Sequence, residues 1–181
     1  MQTKEIQTEF NVTFTEMLKL ISGFDQEQFN RKPDEKKWSA GQVAGHLIKA
    51  NSFALGLLNG KTAETERKPG DMVKKIKADF LNFEKKMDAP DFIVPEENDY
   101  DRENSLNTLK NLKSEINEVS QTADLTRTCL GFEFPGYGFL TGIEILSFIV
   151  FHTQRHIWQL KKLHDRLAQN SGEGREAESP G

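Results

Sequence analysis

The stretch Phe151-His152-Thr153-Gln154-Arg155-His156-Ile157-Trp158-Gln159-Leu160 decides how this chain is read. Two histidines four residues apart share one face of a helix, about 5–6 Å apart at Cβ, so both imidazoles can reach one metal ion. The helix around them is expected from about Thr141 to Ala168, after the turn Pro135-Gly136-Tyr137-Gly138. Turning about 100° per residue, Ile145 and Leu163 define the centre of its apolar face. His152 and His156 fall about 20° to either side of that centre and Gln159 about 40° away, with Ile149 and Leu160 completing the stripe. An imidazole in an apolar core needs a hydrogen-bond or metal partner.

Three other segments carry the same period. The first has Ile6, Phe10, Phe14, Met17, Leu18 and Ile21 and ends near Gly23. The second starts at Ser39, an N-cap with Gln42 three residues on as in a capping box, and stops at Asn59-Gly60. Its stripe is Val43, His46, Ala50, Phe53 and Leu57. The third uses Leu106, Leu109, Leu112, Ile116 and Val119 from about Asn104 or Ser105. No segment alternates apolar and polar residues long enough to suggest a strand. The roughly 45 residues between the second and third segments are too many for a bare loop. Met72, Val73, Ile76, Phe80, Phe83 and Met87 mark a shorter amphipathic helix there, ended by Pro90 to Pro95. The expected fold is all-α: a four-helix bundle with an extra helix in the crossover between helices two and three. The bundle domain should occupy residues 1–169. The tail 170–181, rich in Gly, Glu and Ser, should be disordered.

Composition narrows the function. With 181 residues, a net charge of −4 and no basic footprint, the chain suits neither nucleic acid nor an anionic membrane. Cys129 is the only cysteine, which excludes an internal disulfide and a thiolate metal cage. The start Met1-Gln2-Thr3-Lys4-Glu5 has no apolar segment behind it, and the longest apolar run, Ile145 to Phe151, is too short for a membrane span. A cytoplasmic protein is expected.

On the second helix Phe53 and Leu57 straddle His46, so His46 also faces the core. Three neutral imidazoles meeting inside a bundle suit Zn²⁺ or Ni²⁺, with water in the remaining positions. A satisfied core residue is the better reading of any one histidine alone; convergence of three favours a metal. Thr153 stands where the metalloprotease motif carries Glu, so the pattern supplies no general base. Gln159 is expected either to orient a ligand or a water from just outside the ion's direct contacts or to be a polar residue at the bundle end. Glu144 lies about 100° from the stripe, as does His164, and neither is favoured. Arg155 reads as an exposed charge or an anion contact, Trp38 as a core anchor, and Cys129 as a buried inert thiol. The aromatic, Gly-rich stretch Gly131 to Leu140 forms either the wall of an open pocket or a plug at one bundle end. Phe151 and Trp158 point away from the histidines and call for cover, by a second subunit or by the crossover helix.

These residues carry a family resemblance. Trp38-Ser39 leading into His46-Leu47, the Gly-rich turn, the Leu-Thr helix start and His152-x-x-x-His156-x-x-Gln159-Leu160 resemble the DinB-like superfamily, also described as YfiT-like metal-dependent hydrolases. The resemblance spans about Thr3 to Ala168. It implies a four-helix bundle, a divalent metal on His46, His152 and His156, and often a homodimer. Similar proteins include bacillithiol S-transferases and mycothiol-dependent maleylpyruvate isomerase; the family name implies no DNA binding. The expectation is a metal-dependent hydrolase or small-thiol S-transferase acting on a small molecule. The alternative is a non-catalytic protein whose metal staples helix two to helix four.

Overall fold

The computed structural model describes the backbone of residues 3–173 and the side chains of residues 3–167. Helix α1, Thr3–Ser22, buries Ile6, Phe10, Phe14, Met17 and Ile21, the stripe expected of it apart from Leu18, which is half-buried. Asp25 then caps a short helix α2, Gln26–Asn30, through a capping box with Gln28. Helix α3, Ala40–Leu58, begins as its sequence dictates: Gln42 N donates to Ser39 Oγ, and Ser39 N donates to Gln42 Oε1, both at 3.1 Å. It is buried on nearly every side. Gly45 is what allows this, because a Cβ there would lie 2.5 Å from the Tyr100 ring.

The crossover carries strand β1, Thr62–Ala63, helix α4, Val73–Phe80, and one 3₁₀ turn, Asp91–Ile93. Helix α4 was expected to reach Met87 but ends at Phe80. The reason is distant in sequence: Arg155 donates to the carbonyls of Phe80, Asn82 and Lys85, satisfying oxygens that further helical turns would otherwise have paired. Helix α5, Arg102–Thr122, starts a little before its expected position because Asp101 caps it, accepting from Asn104 N at 2.7 Å.

The expectation of an all-α chain is corrected. The fold is mostly helical, but strands β2, Thr128–Phe134, and β3, Gly138–Thr141, form a hairpin, and β1 pairs with β2 to make a three-stranded antiparallel sheet. Gly136 and Gly138 turn the hairpin with φ of 79° and 74°, conformations that suit glycine. Helix α6 follows directly and runs Gly142–Glu173, beyond its expected end and into the expected tail; residues 174–181 lie outside the described ones.

The four long helices enclose one core: α1 packs on α5 and α6, and α3 packs on α5 and α6. Helix α4 lies against α6. Phe151 is fully buried with Lys77 over its ring, and Trp158 stacks on Phe83 at 4.9 Å. The crossover thus covers Phe151 within the chain, while Trp158 stays half-buried. Glu144, with no exposed surface, pins crossover and hairpin to the start of α6. Its carboxylate accepts from Arg67 at 2.6 Å and from the N–H groups of Met72 and Thr141 at 2.9 Å. Among the described residues no helix is long and apolar enough to cross a membrane.

Candidate metal centre

The packing of α3 on α6 brings His46, His152 and His156 together, with 2%, 5% and 7% of their surfaces exposed. His152 Nε2 lies 3.0 Å from His46 Nε2 and 3.1 Å from His156 Nε2. The two outer rings are fixed from behind. His46 Nδ1 donates to the carbonyl of Ile93 at 2.8 Å, and His156 Nδ1 donates to Gln159 Oε1 at 2.9 Å. A neutral imidazole carries one proton, so both outer Nε2 atoms present lone pairs. Both point at one nitrogen, His152 Nε2, which has at most one proton to offer. At least one of these close approaches therefore sets lone pair against lone pair unless a cation lies among them.

Adding protons is the costly way out. Burial, above all, lowers the pKa of each ring: His46 below its usual value, His152 well below, and His156 to about 3. For His152 the neighbouring imidazoles add to this effect, and for His156 the His46 ring does. Neutral, convergent nitrogens 3.0–3.1 Å apart suit a shared ion, since metal–nitrogen bonds of about 2.0–2.1 Å place neighbouring ligands roughly 3 Å apart. The residues fit a divalent cation. His152 Nδ1 has no hydrogen-bond partner among the described residues, so that ring is held by packing: it stacks on Phe148 at 5.3 Å and meets the edge of Phe80.

The cluster opens into a cavity of about 420 Å³. Its walls are aromatic: Trp38, Phe53, Phe80, Phe92, Phe132, Phe134, Tyr137 and Phe148 line it beside the three histidines. Phe132, Phe134, Pro135 and Tyr137 come from the hairpin, so the stretch 131–140 forms pocket wall. Trp38, expected as a core anchor, is half-buried with its ring 5.0 Å from His46 and 6.4 Å from His156.

Gln159 stands behind His156, with its amide oxygen engaged there. Glu144 is occupied by Arg67 and two backbone N–H groups. Arg155 lines the cavity while holding the segment after α4. His164 is exposed and meets the edge of Phe24. Cys129 is buried, and burial raises its pKa, as an inert thiol requires. Sequence reasoning missed three contributors. Phe148 is one turn before His152 on the same face and was readable from that spacing. The Ile93 carbonyl carried no signal, because it reaches His46 across 47 residues. Asp88 on the cavity wall was also overlooked.

The chain is matched over residues 9–160 by the model of the DinB superfamily, a span that contains all three histidines. It is 27% identical over 172 residues to the uncharacterised protein YuaE of Bacillus subtilis (strain 168), covering 87% of this chain and 96% of that protein. No solved structure matches it significantly.

Proposed function

The chain belongs to the DinB superfamily, and on that premise we propose that it is a metal-dependent enzyme, either a hydrolase or a low-molecular-weight-thiol S-transferase acting on a small molecule. Its four long helices are read as a four-helix bundle of the DinB/YfiT-like type. His46, His152 and His156 hold one divalent cation, Zn²⁺ or Ni²⁺. What carries the reading is the convergence of three Nε2 atoms at the wall of an aromatic cavity. A cation there would supply the positive charge that makes a water or a thiol acidic near neutral pH.

The chain's own residues do the rest. Ile93 and Gln159 hold the Nδ1 protons of His46 and His156, which keeps their Nε2 lone pairs directed inward. Burial keeps the rings neutral at pH 7. The aromatic wall takes the apolar part of a substrate and excludes bulk water. Asp88 is the only carboxylate among the cavity's lining residues, and we assign to its Oδ atoms acceptance of the proton that the nucleophile releases. Tyr137 is unsuited to that role, because burial and Asp79 raise its pKa and its hydroxyl donates to Asp79 at 2.6 Å. A lone buried thiol at Cys129 fits a reducing cytoplasm.

The near-complete burial of the three rings favours a second reading, in which the ion staples α3 to α6 without chemistry. Elemental analysis, followed by assays of thiol conjugation to electrophiles and of ester and amide hydrolysis, separates the two. Metal-dependent turnover that disappears in His46→Ala supports the enzyme. Stoichiometric metal with no turnover in either class selects the staple.

A further inference from the structure

A second cavity, of about 570 Å³, meets the aromatic one at Trp38, Arg155, His156 and the segment Met87 to Ala89. Its character is opposite. Six of its fifteen lining residues are cationic, namely Lys36, Lys37, Lys86, Arg155, Lys162 and Arg166, and only Asp88 is acidic. The whole chain has 24 cationic residues in 181 and a net charge of −4. The six come from three separate stretches of sequence, so one solvated helix face does not explain them. Some are partly engaged: Arg155 donates to the carbonyls of Phe80, Asn82 and Lys85, Lys37 pairs with Asp34 at 2.8 Å, the same Asp34 carboxylate feels the charge of Arg166, and Lys162 Nζ stands 3.8 Å over the Trp158 ring. Lys36, Lys86 and Arg166 have no carboxylate within ion-pair distance among the described residues. Like charges gathered in a concavity raise the local positive potential and attract anions.

We propose that this cleft anchors a small molecule by a carboxylate or phosphate group and presents the rest of it, past His156, to the aromatic cavity. The ligand is anionic at one end and apolar or reactive at the other. Delivery to the reaction centre rests on the proposed role of the histidines, whereas anion binding itself needs no metal.

The chain's two tryptophans, Trp38 and Trp158, both line the cleft, so intrinsic fluorescence reports on it. Tricarballylate and inorganic pyrophosphate are titrated separately, with sodium chloride at matched ionic strength as the control. A saturable change is expected with at least one of them and none with chloride; the one that acts identifies the anionic group. Lys86→Gln/Arg166→Gln and Lys36→Gln/Lys86→Gln, all at exposed positions, should each weaken binding about ten-fold. Chelator-treated parent protein, in which every residue of the cleft is unaltered, should bind as the untreated protein does. No saturable response, unchanged affinity in both double variants, or loss of binding after chelation each overturns the proposal; the last would place the anion on the ion instead. Saturable binding by protein that takes up no zinc or nickel when either ion is added supports the cleft and sinks the metal reading, so the two failures are distinct.

Discussion

Gln159 lies one turn beyond His156 on α6, and its amide oxygen accepts the His156 Nδ1 proton at 2.9 Å. The contact fixes which nitrogen of His156 faces His46 and His152. Gln159→Leu should weaken zinc binding by roughly ten- to a hundred-fold while leaving the metal-free protein folded. Gln159→Glu should retain tight binding, because a carboxylate accepts the same proton more strongly. Competition against a zinc-binding dye measures both, and parent-like affinity in the leucine variant would remove Gln159 from the site.

Binding to the folded state alone raises stability by about 2.7 kcal/mol when free metal is 100 times its Kd. Zinc added to stripped protein should therefore raise Tm by several degrees, and a chelator should reverse the gain. His152→Ala and His156→Ala should show no such gain. An undiminished zinc shift in either variant, read by differential scanning calorimetry, would place the ion elsewhere.

Acid should destabilise the metal-free protein in a definite window. His156 titrates near 3 when folded, against an ordinary value of 6.5, and His152 is lowered in the same direction. Between those values the unfolded chain binds more protons than the folded one, so stability falls as pH drops. The histidine contribution is fully present above about pH 6.5 and progressively lost below it. Urea midpoints from pH 8 to pH 4 test the sign; a midpoint rising on acidification would contradict neutral, buried rings.

Removing Arg67 leaves the Glu144 carboxylate fully buried without its charged partner. Burial pushes the pKa of that carboxyl up, yet Arg67 and the N–H groups of Met72 and Thr141 hold it below its ordinary value. Arg67→Ala should therefore cost about 3 kcal/mol. Arg67→Lys should cost less, since the charge stays while the two-pronged geometry is lost. Chemical denaturation measures both, and a loss within experimental error for Arg67→Ala would show that the crossover is held by other contacts.

The histidine arrangement was legible because a helix places residues on faces by simple arithmetic. His46 among Val43, Ala50 and Leu57, and His152 with His156 among Ile145, Ile149 and Leu160, needed only the 3.6-residue period. The capping box at Ser39 was readable for the same local reason, and the one at Asp25 stood in plain view but unread. The sheet was hidden. β2 pairs with a two-residue strand more than sixty positions earlier, and a register irregularity between Thr128 and Glu133 breaks the alternation that would announce it. The end of α4 at Phe80 was hidden as well, since the guanidinium that satisfies its carbonyls belongs to Arg155. Helix faces follow from neighbours in sequence; caps and walls supplied from afar do not.

His46 and His152 are 106 residues apart in the chain. Two of the three donors are local, on adjoining turns of α6, and can meet as soon as that helix forms. The third arrives only when α3 docks, after a long segment of chain has closed, an event that topology makes late and slow. An ion requiring all three nitrogens therefore cannot seed folding. If α3 docks after the barrier, a bound ion is a bolt drawn once the door is shut, and it should slow escape from the native state far more than it hastens arrival. The lifetime of the folded protein, rather than its speed of folding, is what zinc supply would then govern.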